Sequence, residues 1–274
     1  MSNGIGMGLA KKLTIKFTME STMESTMESI MDAYSILWAD LTALKRRWPK
    51  FLITTLVSPL LYLVAFGWGL GRGMSLNGTS YLEFVIPGII ALTAMTTSFN
   101  GAGNRLNVDR LFYKSFDECL MAPIGLTSLL VGKALIGVVR GLISSVAFLA
   151  VALLIAPAMH IGPLFLAGLI LTCLTFAFLG VLAALLARSH EDMATFGSLI
   201  LMPMTFLGGT FFSLSQVPVG LKYALYILPL THASLFLRAV ALDQPLPWTS
   251  FLALVAFFVI FLLGGMMALK RASV

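Results

Sequence analysis

Three histidines, two cysteines and one lysine framed by glycines are the residues whose types invite a chemical reading. His160, His190 and His232 fall in different loops on different sides of the apolar segments, so no ligand set converges on a metal. No metal site is expected. The nearest approach to a phosphate-cradling loop is Gly125-Leu-Thr-Ser-Leu-Leu-Val-Gly132-Lys133-Ala134. It has six residues rather than four between its glycines and lacks the closing Ser or Thr. Helix packing explains its glycines better: Gly132 is followed by Gly137 and Gly141, which form a GxxxG pair. No serine nucleophile with a nearby base appears, so no catalytic residue and no cofactor is assigned to the chain. Cys119 is expected in a loop and Cys173 inside an apolar span, which argues against a bridge between them.

The elements that carry these residues belong to a membrane. Hydrophobic residues make up 58% of the 274-residue chain and charged residues 11%, against about a quarter charged in soluble domains. Mean hydropathy is +0.95. The apolar residues come in unbroken blocks rather than in helical or strand alternation. A hydrocarbon core about 30 Å thick takes roughly 20 residues of helix. Measured against that length, the blocks predict six transmembrane helices, at about 51–71, 84–104, 133–157, 163–187, 193–213 and 247–269. The fold class is therefore all-α and polytopic. The apolar stretch Tyr223–Leu237, about 15 residues with Pro229 and His232 inside it, is short for a crossing and reads as outer re-entrant helices between spans five and six.

Most lysines and arginines fall on one side of these spans, among them Lys11, Lys45, Arg46, Arg47, Lys50, Arg105, Arg110, Lys114, Arg188, Lys270 and Arg271. Only Arg72, Lys222 and Arg238 fall on the other. The asymmetry places both termini in the cytosol. Lys133 and Arg140, seven apart on one helical face, read as cations snorkelling at the start of the third span, with a substrate contact as the less favoured alternative. The net charge of +6 lies beside apolar spans, where anionic headgroups are the nearer partner, and no nucleic acid is expected.

Outside the bilayer, residues 1–30 form a low-complexity tail carrying the tetrapeptide Thr18-Met19-Glu20-Ser21 in tandem, ahead of a membrane domain at 31–274. From Asp32 to Trp48, Ile36, Leu37, Leu41 and Leu44 recur at helical spacing and predict an amphipathic interfacial helix. The loop from Arg105 to Pro123 is also helix-like, with Arg105/Asp109 and Lys114/Glu118 spaced for ion pairs and an apolar face through Phe112, Phe116 and Leu120. That face packs either on the lipid surface and neighbouring helices or on a partner protein. No span carries an acidic residue near its middle, where an ion-coupled transporter keeps one. The chain must borrow its energy or act as a passive pore, and a gradient-driven transporter or channel stands as the alternative.

The segment Leu201-Met-Pro-Met-Thr-Phe-Leu-Gly-Gly-Thr-Phe-Phe-Ser-Leu-Ser-Gln-Val-Pro218, followed by Leu228-Pro-Leu-Thr-His-Ala233 and Arg238, resembles the C-terminal signature of ABC type-2 transporter permeases. Within that family it looks most like the branch of nodulation-factor (lipo-oligosaccharide) exporters and related drug or polysaccharide exporters. Phe116-Asp-Glu-Cys-Leu-Met-Ala-Pro-Ile124 is similar to the family's loop after span two. The resemblance implies a homodimer in the bacterial inner membrane. Each copy would dock on a separate cytosolic ATPase that binds ATP and magnesium, and would export an amphiphile such as a lipid-linked saccharide or a hydrophobic drug. It implies that Lys114 to Pro123 form a coupling helix, with Asp117 and Glu118 as charged contacts and Phe116 and Leu120 as apolar anchors. It also implies that Pro203, Gly208 and Gly209, with Pro229, His232 and Arg238, shape an outer gate or re-entrant element.

Overall fold

The computed structural model describes residues 27–71, 75–76, 79–122, 124–157 and 159–272. Most of the tandem tetrapeptide, Arg72 and Pro123 lie outside the described residues. Among those described the chain is helical, apart from short connections and a ladder pairing Ser75–Leu76 with Thr79–Ser80. Helix α1 runs through residues 27–45. Helix α2, Trp48–Tyr62, has Pro49 in its first turn, where no backbone N–H is missed, and continues in a wide π turn, Leu63–Leu70. Helix α3, Tyr81–Leu111, opens where the Glu83 carboxylate accepts the Ser80 N–H at 3.2 Å. The others are α4 (Ser115–Met121), α5 (Leu126–Ile155), α6 (Pro163–Leu186), α7 (His190–Phe196), α8 (Met202–Leu207), α9 (Val219–Tyr226), α10 (Pro229–Ala241) and α11 (Trp248–Ala272).

Among the described residues five helices are long and apolar enough to cross a membrane: α2 with its extension, α3, α5, α6 and α11. The bent pair α9–α10 makes a sixth candidate. Chain continuity decides where the remaining crossing lies. Helix α6 ends, and α11 also ends, where α3 carries Arg110 and α5 begins, so the segment between them must travel once to the opposite end. It does so through α7, the π turn Gly197–Leu201 and α8. Met193 lies against Gly103 of α3, and Phe211 accepts a hydrogen bond from the Tyr81 hydroxyl (2.8 Å) at the other end of that helix. Helicity stops at Leu207 instead of reaching 213, because Gly209 turns the chain with φ +69°. The pair α9–α10 is bent by 95°, and it begins and ends at the far rim, where Ala241 accepts a hydrogen bond from the His160 N–H (2.9 Å). This is the geometry of a re-entrant element.

Helix α3 is the central post. Of its most apolar stretch 83% is buried, against 17% for α2 and for α11, which form the periphery. Small residues let the neighbours approach it closely. A Cβ on Gly137 of α5 would stand 2.5 Å from the Ser98 carbonyl oxygen, and one on Gly180 of α6 would stand 2.5 Å from that of Phe99. Gly132 of α5 admits α1, where a Cβ would come within 3.1 Å of the Ala33 carbonyl oxygen. Helix α1 turns Ala33, Asp40 and Leu44 toward the bundle and leaves Tyr34 and Trp38 on its outer side.

Candidate functional site

The end of the bundle where α3, α6 and α11 terminate collects Arg105, Arg110, Lys114, Arg188, Lys270 and Arg271, and is called the basic end below. There, Asp109 of α3 receives Lys133 Nζ of α5 at 2.7 Å and Arg105 Nε at 3.4 Å. Asp40 of α1 receives Arg105 Nε at 3.2 Å and Lys133 Nζ at 3.6 Å. Two carboxylates and two cations thus close a neutral ring across three helices. Lys133 is buried in this ring and does not snorkel: the helix it reaches for is α3, whose carboxylate is 2% exposed. The Arg105/Asp109 pair forms as their spacing implied. Lys114 and Glu118 make no ion pair, since Lys114 stands before α4 with φ +56° and leaves the helical path. Arg110 donates from one nitrogen to the carbonyls of Ala184, Leu185 and Ala187 (2.8–3.1 Å), satisfying the open end of α6.

Beside this ring a cleft separates α2 from α3 and α5. Its inner chamber, about 570 Å³, is lined by Thr54, Thr55 and Ser58 of α2, Thr96, Asn100 and Asn104 of α3, and Arg140 of α5. A second chamber of about 770 Å³ shares Phe51, Thr54, Arg105 and Arg140 with the first and adds Arg46, Arg47 and Lys50 at the mouth. The threonine hydroxyl protons are spent on the helices themselves: Thr54 donates to the Lys50 carbonyl (2.8 Å) and Thr96 to that of Leu92 (3.0 Å). Their lone pairs remain for a guest. The Asn104 amide donates to the Asn100 side-chain oxygen at 3.2 Å. Arg140 lies 5.6 Å from the centroid of the Phe51 ring, and its Nε is buried without a hydrogen-bond partner. Its lining offers hydroxyls, amides and cations, a set suited to holding a polar guest. Of these polar residues the sequence reading names only the cations, although Thr96, Asn100 and Asn104, four apart on an apolar helix, carry the signal.

The segment expected to couple to a partner is divided differently. Arg105 to Leu111 continue α3, and only Ser115–Met121 form a separate helix. Phe116 is 3% exposed and packs into the chain's own core with Leu120 half-buried beside it, so these two hold α4 from within and do not project toward a partner. The outward surface is Glu118, Met121, Phe112 and Tyr113, the last three 88%, 72% and 62% exposed. The Asp117 side chain and Pro123 lie outside what is described.

At the far end the structure joins most of the residues expected to shape an outer element. Arg238 of α10, 5% exposed, donates to the carbonyls of Phe84 (2.9 Å), Gly209 (2.9 Å) and Thr210 (3.2 Å) and lies 3.7 Å above the Phe84 ring. A cation buried in an apolar bundle is tolerated when carbonyl dipoles and a ring face replace its water. Ser234 donates to the Gly208 carbonyl at 2.8 Å, and Gly208 leaves room for Leu230. Pro229 opens α10. His232 Nε2 donates to the Tyr226 carbonyl at 2.8 Å, tying α10 to α9 across the bend. Pro203 stands apart and exposed, just past the π turn. Phe51 borders the cleft, whereas Tyr62, Phe66 and Phe211 cluster together at the far end (4.1–6.5 Å between centroids).

Comparison with known proteins agrees with this architecture. Residues 32–242 match the family described as ABC-2 type transporter. The chain is 28% identical over 237 residues to "Inner membrane transport permease YadH" of Escherichia coli (strain K12), covering 84% of this chain and 92% of that one. It is 27% identical over 197 residues to "Nodulation protein J" of Rhizobium meliloti (strain 1021), covering 71% and 75%. The protein of the same name from Bradyrhizobium diazoefficiens is 29% identical over 199 residues, covering 70% and 74%. A polytopic helical chain matched over its transmembrane body in this way belongs to the ABC-2 type transporter family, as a membrane permease.

Proposed function

We propose that this permease is the membrane-spanning subunit of an ATP-driven exporter in the bacterial inner membrane. It moves an amphiphile outward, a lipid-linked saccharide, a lipo-oligosaccharide or a hydrophobic drug, with ATP and magnesium bound by a separate cytosolic ATPase. The observation that carries the reading is the cleft. A wall of hydroxyls and amides cut into an apolar bundle and opening at the basic end suits a guest with one polar part and one apolar part. The excess of cations at that end supports a cytosolic position for it and for both termini. The ATPase docks on the outward surface of α4, through Phe112, Tyr113, Glu118 and Met121. A second copy stands against the thinly covered α2, whose side of the cleft is otherwise left to lipid.

Vesicles containing the permease and its ATPase, supplied with ATP, should accumulate a fluorescent amphiphile, and vesicles with either subunit alone should not. Uphill transport by the permease alone would overturn the proposal. Changing both Phe112 and Met121 to Glu should release the ATPase on co-purification while the permease stays inserted. Undiminished association would remove α4 from the contact.

A further inference from the structure

The cleft distributes charge unevenly along its depth. Arg46, Arg47 and Lys50 stand at its mouth, Arg105 and Arg140 further in, and no described carboxylate lines either chamber. The carboxylates that come near, Asp40 and Asp109, are held by Arg105 and Lys133 in the neutral ring. Arg105 is therefore compensated. Arg140 is less so: among the described residues it makes no ion pair within 4.0 Å, its Nε is buried without a hydrogen-bond partner, its guanidinium meets the Phe51 ring, and Asp40, already held by Arg105 and Lys133, acts on it only at longer range. It sits in the middle of α5, fourteen residues past Leu126, or about 21 Å along the helix axis.

A guanidinium inside a membrane helix, with only a distant and shared carboxylate to answer it, is costly unless something negative or strongly polar reaches it. Its fork of donors fits the oxygens of a phosphate or a carboxylate. The opposite walls complete such a site. The Asn100 and Asn104 amides supply further donors, and the threonine hydroxyls supply acceptors for uncharged polar groups attached to the anion.

We infer that the cleft recognises an anionic headgroup, a phosphate ester or chemically similar oxyanion on an apolar chain, with Arg140 as the innermost anion-binding residue and Arg46, Arg47 and Lys50 as the gathering cations. The inference rests on the transport reading only in taking that amphiphile as cargo. Binding itself requires neither nucleotide nor partner.

The test uses the full chain in nanodiscs of phosphatidylcholine, without nucleotide. The probes are fluorescent lysophosphatidic acid, chain-matched lysophosphatidylcholine and a chain-matched alkyl glucoside. The expected result is a preference of about tenfold to a hundredfold for the anionic probe, the scale of one or two charge-assisted hydrogen bonds. Arg140→Gln should abolish that preference while leaving binding of the glucoside, and Arg140→Lys should keep part of it. Arg271→Gln, a cation of the same end outside the cleft, should change nothing. Equal affinities for the three probes, or an unchanged preference in Arg140→Gln, would overturn the inference. So would displacement of the anionic probe by equimolar inorganic phosphate, which would mark a site for a free anion, or by equimolar phosphatidylglycerol, which would mark a site for bulk membrane lipid. Should Arg140→Gln fail to give a monodisperse protein, the Arg140→Lys ratio and chemical modification of the wild type with an arginine-selective dicarbonyl, with and without the anionic probe, carry the same decision. Protection of Arg140 by the probe is the expected result, and equal modification sinks the idea. Anionic preference without ATP-driven transport would count against the exporter reading and leave this one standing.

Discussion

Replacing Lys133 by Met should be among the most damaging single changes to this protein. The ring at the basic end is neutral with Lys133 in place. Without it, Asp109 and Asp40, 2% and 5% exposed, share only Arg105, which is itself 39% exposed at the side chain. Breaking a buried pair by removing one partner costs about 3–5 kcal/mol, because the remaining charge stays desolvated. In a domain of this size each kcal/mol moves the midpoint by about 2–4 °C, so thermal unfolding in detergent should drop by about 6–20 °C. Adding Asp109→Asn to Lys133→Met should recover much of the loss, since the buried charge is then gone with its partner. Arg105 would still answer Asp40 at 3.2 Å. The double-mutant cycle should show a coupling of about 1–3 kcal/mol. A Lys133→Met midpoint within about 2 °C of wild type, or strict additivity of the two changes, would refute the assignment of Lys133 as a buried ring member and return it to the membrane surface.

Other outcomes follow from particular contacts. Arg238→Met leaves the carbonyls of Phe84, Gly209 and Thr210 without their donor, and should cost at least about 3 kcal/mol in thermal or proteolytic stability. Arg238→Lys, a single ammonium unable to span all three oxygens, should recover only part. Gly137→Leu should disrupt the α3–α5 contact by about 1–3 kcal/mol or more. Gly197→Ala, with open space around the position, should stay within about 0.5 kcal/mol on the same assay. Val219→Cys, 69% exposed at the far end, should react with an impermeant maleimide added outside cells. Labelling only after the membrane is opened would reverse the orientation.

The transmembrane segments were legible because bilayer thickness imposes a length that apolar intervals must meet, and α6 matches its interval almost to the residue. Formal charges mark the ends of apolar intervals and not of helices. Arg105 and Asp109, paired across one turn and bonded to Asp40 and Lys133, ride inside a helix that continues to Leu111. The amphipathic face of Phe116 left lipid, neighbouring helices and a partner all open as its cover, and only the family resemblance implied a partner; here the covering is the chain's own core. Arg238 is one of three cations on the less basic side. Its role depends on carbonyls from residues 84, 209 and 210, which no local pattern connects. The cleft went unread for the opposite reason. Its threonines and asparagines were visible at a spacing of four, but in a membrane helix such residues equally serve packing, and only the gap opposite them gives the spacing a use.

The clamp made by Arg238 also sets an order of assembly. Phe84 precedes its guanidinium partner by 154 residues, so at roughly 5–20 residues per second the ribosome delivers the second half of the contact about 8–30 s after the first. During that interval the post of the bundle stands in the lipid with its early neighbours packed by glycine contacts and its outer turn unfastened. A stall or truncation anywhere upstream of residue 238 would release a chain that is inserted yet unlocked, the form a membrane quality-control protease is best placed to remove.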